Sequence, residues 1–134
     1  MPERIGIVAG CFDLFHAGHV LMMAEAKQHC DWLIVALQTD PTVDRPKKNK
    51  PIQGMYERFV QVNACKHVDE IIPYDTEIDL YNLLTSTKIN VRFLGDDYRC
   101  REDFTGAMLD ISIYYCNREH IYSSSDLRRR IKNG

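Results

Sequence analysis

The sequence predicts an α/β fold, a five-stranded parallel sheet with helices on both faces, in a single domain over residues 1–134. Three observations predict it. Short apolar runs alternate with helix-length amphipathic segments along the whole chain. Those runs are continuously apolar, as in strands covered on both sides. No repeat, low-complexity tract or linker breaks the alternation. Right-handed crossovers then give a Rossmann-like sheet. Ligands are expected beyond the carboxyl ends of its strands, where strand order reverses.

Each element follows from its residues. "RIGIVAG" (4–10) is a β-branched run ending in glycine, a buried first strand. "HVLMMAEAKQHC" (19–30) places apolar residues at 20, 23, 24 and 26 on one helical face. "WLIVALQ" (32–38) is the second strand, and the proline- and lysine-rich residues 39–52 form a loop. A second helix spans about 54–66, with Met55, Phe59, Val60 and Val62 on its apolar side. "EIIPY" (70–74) and "VRFLG" (91–95) are strands flanking a helix over 78–87. After the acidic turn "DDYRCRED", "ISIYY" (111–115) is the last strand and "SSSDLRRRIKNG" the closing helix.

The totals narrow the function. Seventeen basic against nineteen acidic residues give a formal charge of −2, without the basic excess of a general nucleic-acid binder. No stretch approaches the length of a membrane span, and "MPERIGIVAG" lacks the features of a secretory signal, so a cytoplasmic location is expected. The five cysteines are scattered and odd in number, which suits reduced thiols.

The stretch "GCFDLFHAGHV" (10–20) is the chief candidate site, because it lies where the first strand gives way to a helix. Unpaired N–H groups and the helix dipole suit an anion there. His16 and His19 add imidazole donors, Gly18 leaves the backbone open to approach, and Phe12 and Asp13 shape the turn. A metal pair or two incidental histidines are the alternatives. The metal reading would have to recruit Cys11, His29 or Cys30, which nothing in the spacing brings together.

"GCFDLFHAGH" resembles the G-x-F-D-x-x-H-x-G-H signature of the cytidylyltransferases in the HxGH nucleotidyltransferase superfamily, matching all six fixed positions. The resemblance extends from residue 4 to about 131 and is greatest to the compact glycerol-3-phosphate enzymes. It implies transfer of CMP from CTP to an alcohol phosphate, with Mg2+ accompanying the CTP, in a homodimer. Gly10, Cys11, Phe12, Asp13 and Gly18 would line the nucleotide site, and His16 and His19 would hold the α-phosphate. Lys47, Lys48 and Lys50 resemble a lysine loop closing over the triphosphate, where charge accumulates on the leaving pyrophosphate. Arg58 and Lys66 stand where the family has basic residues near substrate, Lys66 replacing an arginine. "GDDYR" (95–99) resembles the border of the acceptor pocket. It brings in Asp96 and Asp97, the latter able to reach acceptor hydroxyls or a hydrated magnesium; Tyr98 replaces a tryptophan. Arg118, with Ser123 and Ser124 at a helix start, would hold the outgoing phosphates. An adenylyltransferase of the heptose-phosphate or FAD-synthetase type is the rival, and a non-catalytic nucleotide-binding module is a second.

Overall fold

A computed structural model describes residues 3–117, 120 and 122–134. Its elements in chain order are β1 (Ile5–Gly10), α1 (Ala17–Lys27), β2 (Trp32–Gln38), α2 (Met55–Asn63), β3 (Glu70–Tyr74), α3 (Glu77–Ser86), β4 (Val91–Gly95), β5 (Ser112–Cys116) and α4 (Ser124–Asn133). The five strands form one parallel sheet in the order β3-β2-β1-β4-β5. The chain winds outward from β1 to β3, then returns to the other side of β1 for β4. The switch point therefore lies between β1 and β4, beyond Gly10 and Gly95.

Both faces are covered, as the continuous apolar runs require. Val8, Leu33, Val35, Leu37 and Phe93 pack with Met23 and Ala26 of α1 and Val62 of α2. Ile7, Ile34 and Ala36 face the opposite way, onto Leu80 and Leu84 of α3. Gly6 is fixed by this packing: a Cβ there would fall 2.4 Å from the Phe93 ring. Six of the elements depart from their sequence-predicted bounds, β1 by starting one residue later. β5 is shifted one residue onward, α2 and α3 end sooner, α4 begins at Ser124, and α1 begins at Ala17, two residues early, because His16 caps it. The loop 39–52 contains a 3-10 turn, Pro41–Val43, whose cap Asp40 accepts from the Thr42 N–H. α2 also faces differently from its apolar pattern. Arg58 and Val62 point inward, while Phe59 and Val60 are exposed. Among the described residues no helix is long and apolar enough to cross a membrane.

Candidate active site

The loop after β1 is bent sharply. Phe12 and Leu14 both adopt left-handed backbone angles (φ 50° and 51°), which side chains other than glycine rarely accept. Several contacts hold the bend. The Asp13 carboxylate accepts the N–H groups of Ile52 and Gln53, both at 2.9 Å, and the Arg128 guanidinium at 3.1 Å. Gln53 in turn accepts the Leu14 N–H at 2.8 Å. Ser124 Oγ donates to the Asp13 carbonyl at 3.0 Å, so α4 is tied to the same loop. Phe12 is buried edge-on against the His19 ring, with centroids 5.2 Å apart.

The two histidines open α1 as a reciprocal cap. His16 Nδ1 accepts the Gly18 N–H at 3.0 Å, and His19 Nδ1 accepts the His16 N–H at 3.3 Å. This is a capping box with imidazole acceptors in place of hydroxyl and carboxylate. The hydrogen bonds assign both tautomers: with Nδ1 accepting, each neutral ring carries its proton on Nε2. The rings stack with centroids 3.7 Å apart and planes 23° apart.

His19 stands in the wall between two adjoining cavities, and His16 lines the smaller of them. The larger, about 570 Å³, is lined by Gly10, Cys11, Phe12, Asp13 and His19, and by Asp97 and Ser124. A smaller one, about 200 Å³, is lined by His16, Gly18 and Ser123 and by His120. His19, Met22, Gly95 and Ser124 border both. Lys48 lines the larger cavity, while Lys47 and Lys50 are exposed beside it on the same loop. Arg118 lies outside the described residues.

Three expectations need correction. Arg58 is not a substrate contact: it is 1% exposed and donates to the carbonyls of Cys11, Gln38, Thr39 and Gln53. Lys66 follows the far end of α2, exposed, toward the amino edge of β3, and cannot serve a site at the carboxyl edge. Asp96 pairs with Arg99 at 2.8 Å and lies outside the cavity lining, which leaves Asp97 as the acidic member of that turn in the wall. Gly18 leaves no room for a side chain, because the space beside it is already filled. A Cβ there would meet His120, His16 and the Tyr122 carbonyl at 2.8–2.9 Å, so the missing side chain lets His120 and Tyr122 lie against α1.

The Cys11 thiol lines the cavity, but burial pushes its pKa up more than Arg58 and Arg45 pull it down. It is therefore a neutral group and not a thiolate nucleophile. Ser123 Oγ caps α4 by accepting the Asp126 N–H at 3.0 Å, while the Asp126 carboxylate pairs with Arg129 and Arg130. Sequence reasoning missed Gln38, Arg45, Glu77 and Arg92, all in the lining of the larger cavity. Only Arg92 carried a signal, as a charge inside the apolar run "VRFLG".

A histidine-capped helix start at the switch point of a five-stranded parallel sheet fits the α/β nucleotidyltransferase superfamily. The chain belongs to the cytidylyltransferase-like family, whose model matches residues 7–130. It is 39% identical over 99 residues to the bifunctional protein HldE of Gluconacetobacter diazotrophicus, covering 72% of this chain and 20% of that one. It is 37% identical over 109 residues to the ethanolamine-phosphate cytidylyltransferase of Arabidopsis thaliana, covering 75% and 25%. The chain thus spans a fifth to a quarter of the length of these curated relatives. Among solved structures, the lipopolysaccharide core biosynthesis protein of Thermoplasma volcanium shares the fold. Its TM-score is 0.70 at 22% identity, over 87% of this chain and 98% of that one.

Proposed function

We propose that this chain transfers the nucleotidyl group of CTP to an alcohol phosphate, glycerol 3-phosphate first among the candidates, and releases pyrophosphate. The observation that carries the reading is the His16–His19 box, whose His19 lines a cavity large enough for a nucleotide and whose His16 lines the adjoining one. An oxygen of the acceptor phosphate attacks the α-phosphorus in line. The bond from that phosphorus to its β-bridging oxygen breaks, and pyrophosphate departs with the electron pair. The chain's part is positioning and charge stabilisation, as in phosphoryl transfer generally. His16 and His19 donate to the α-phosphate and the bridging oxygen. Lys47, Lys48 and Lys50, with Arg118 and the serine-rich start of α4, serve the outgoing phosphates.

Mg2+ fits this site as a companion of the triphosphate. Among the described residues no group of three or more His, Cys, Asp or Glu is arranged to cage an ion. Asp97 in the cavity wall would hold a hydrated ion from one side, and the ion would offset triphosphate charge.

The family description and the Arabidopsis relative's name support cytidylyl transfer. The closeness of "GCFDLFHAGH" to the heptose-type version of the signature favours a second reading, ATP with a sugar phosphate. Pyrophosphate release across CTP and ATP, each with glycerol 3-phosphate, ethanolamine phosphate and a sugar 1-phosphate, decides between them. CTP with glycerol 3-phosphate should exceed ATP by at least about tenfold, a modest transition-state preference. Faster turnover of ATP with the sugar phosphate would overturn the cytidylyl assignment. Triphosphate binding without pyrophosphate release would leave a binding module.

A further inference from the structure

Across the larger cavity stands a second polar wall that the reaction above does not use. Arg45 comes from the loop after β2, Glu77 is the first residue of α3, and Arg92 lies within β4. Arg92 is 6% exposed, donates to the Thr105 carbonyl, and sits 5.3 Å from the Phe104 ring centre. Thr105 Oγ1 then donates to Glu77 Oε1 at 3.0 Å, and the Glu77 N–H is held by Asp44 at 2.8 Å. On the other side, Arg45 Nη2 donates to Gln38 Oε1 at 3.2 Å and lies 3.6 Å from Glu77 Oε2. Two buried atoms in this cluster have no hydrogen-bond partner, Arg45 Nε and Glu77 Oε2. One is a donor, the other an acceptor, and their side chains form an ion pair. The two side chains are partly exposed to the cavity, while these two atoms are buried and unsatisfied, which is costly and calls for a ligand or a water.

We propose that this pair recognises the tail of the acceptor, and that the tail is a neutral polyol bearing a hydroxyl. A single hydroxyl can accept from Arg45 Nε–H and donate to Glu77 Oε2 once the two partly exposed side chains part to admit it. An ammonium tail would satisfy Glu77 but face Arg45 and Arg92. A carboxylate tail would satisfy Arg45 but face Glu77. Arg92 is a positioning residue: through Thr105 it holds the oxygen of Glu77 that is not offered to the ligand. The identity of the ligand as an acceptor rests on the nucleotidyl-transfer reading; the fit to a hydroxyl does not.

Steady-state kinetics with CTP should compare glycerol 3-phosphate, n-propyl phosphate and ethanolamine phosphate. The wild type should favour glycerol 3-phosphate over both by about tenfold or more, one buried hydrogen-bond pair being at stake. Glu77→Gln turns the free acceptor into a donor aimed at Arg45. It should raise KM for glycerol 3-phosphate about tenfold while leaving KM for CTP and for propyl phosphate within twofold. Arg92→Lys should raise the same KM with kcat preserved, since an ammonium cannot hold the loop in the guanidinium geometry. A wild type that prefers ethanolamine phosphate, or a Glu77→Gln protein whose two acceptor KM values shift together, would overturn the proposal. If no triphosphate releases pyrophosphate with any acceptor, the catalytic reading fails and calorimetry still decides. Glycerol 3-phosphate should then bind the wild type about tenfold more tightly than it binds Glu77→Gln, and more tightly than propyl phosphate binds the wild type. Equal or absent binding would reject the subsite.

Discussion

Arg128 Nη2 lies 3.1 Å from Asp13 Oδ2, joining the last helix to the loop that follows the first strand. The same carboxylate accepts the Ile52 and Gln53 N–H groups, so one side chain orders three segments of the site. The amide bonds should dominate the energetics, because Arg128 is one-third exposed and a pair of that kind contributes at most about 1 kcal/mol. Asp13→Asn should therefore destabilise by roughly 1–3 kcal/mol in urea unfolding, the range for hydrogen bonds to a charged group. Arg128→Ala should cost less but increase tryptic cleavage within α4. Equal losses from the two substitutions would mean that the ion pair, and not the amides, holds the loop.

The histidine box separates capping from chemistry. Asparagine is a good helix N-cap, so His16→Asn should melt within a few degrees of wild type, whereas His16→Ala should lose about 1 kcal/mol. Both should reduce kcat about a hundredfold, as does loss of an oxyanion donor. His19→Ala should do the same. Circular dichroism and pyrophosphate release measured on one preparation check this, and normal turnover by folded His16→Asn would remove the imidazole from the mechanism.

Gly18→Ala is a contest between local and tertiary effects. Alanine is the better helix former by about 1 kcal/mol. The added methyl would nevertheless meet the Tyr122 carbonyl, which is backbone, at 2.9 Å. The clash should win: His120 and Tyr122 move, and kcat/KM for the triphosphate falls about tenfold or more with little loss of helicity. Unchanged kinetics would show that this segment has no part in binding.

Arg58 and Lys66 should behave oppositely. Removing Arg58 leaves four carbonyls without their common donor, so Arg58→Met should lose about 3–5 kcal/mol, as when a buried charged network is broken. Lys66→Ala should alter neither stability nor KM by a measurable amount. A selective rise in KM in a fully stable Arg58 variant would restore it as a substrate contact.

The alkaline limb of stability should report Cys116. Burial, reinforced by Glu25, pushes its thiol up to about 12 from the ordinary 9.0. The unfolded chain releases this proton first, so the contribution is intact below about pH 9 and is lost as pH rises from 9 toward 12. Cys116→Ala should flatten the slope of unfolding free energy against pH in that window, even if its overall stability is lower. An unaltered slope would place the alkaline sensitivity elsewhere, Cys11 and Cys30 being shifted the same way.

The strands β2, β3 and β4 were legible to the residue: β2 and β4 are runs buried almost throughout, and β3, at the sheet edge, is marked by its β-branched pair Ile71 and Ile72. The start of α1 was not, since histidine is an unusual cap and its Nδ1 acceptor role exists only once the turn has formed. Arg58 looked like any helix-surface cation beside Phe59 and Val60; only the packing shows that the arginine faces inward and the apolar pair outward. Arg45, Glu77 and Arg92 are separated by tens of residues and share no motif. The switch in strand order alone brings them to one wall.

Arg58 also governs where this molecule can move. Its bonds reach the residue after β1, the last residue of β2 and the one following it. The carboxyl ends of the two central strands are thereby riveted together, and no hinge can open between them. In the proposed reaction, closure over a ligand would then fall to rim segments such as the lysine loop and the turn after β4. Catalytic loops of this kind commonly set turnover through their opening. The floor sets what chemistry is possible, and the rim sets how often it happens.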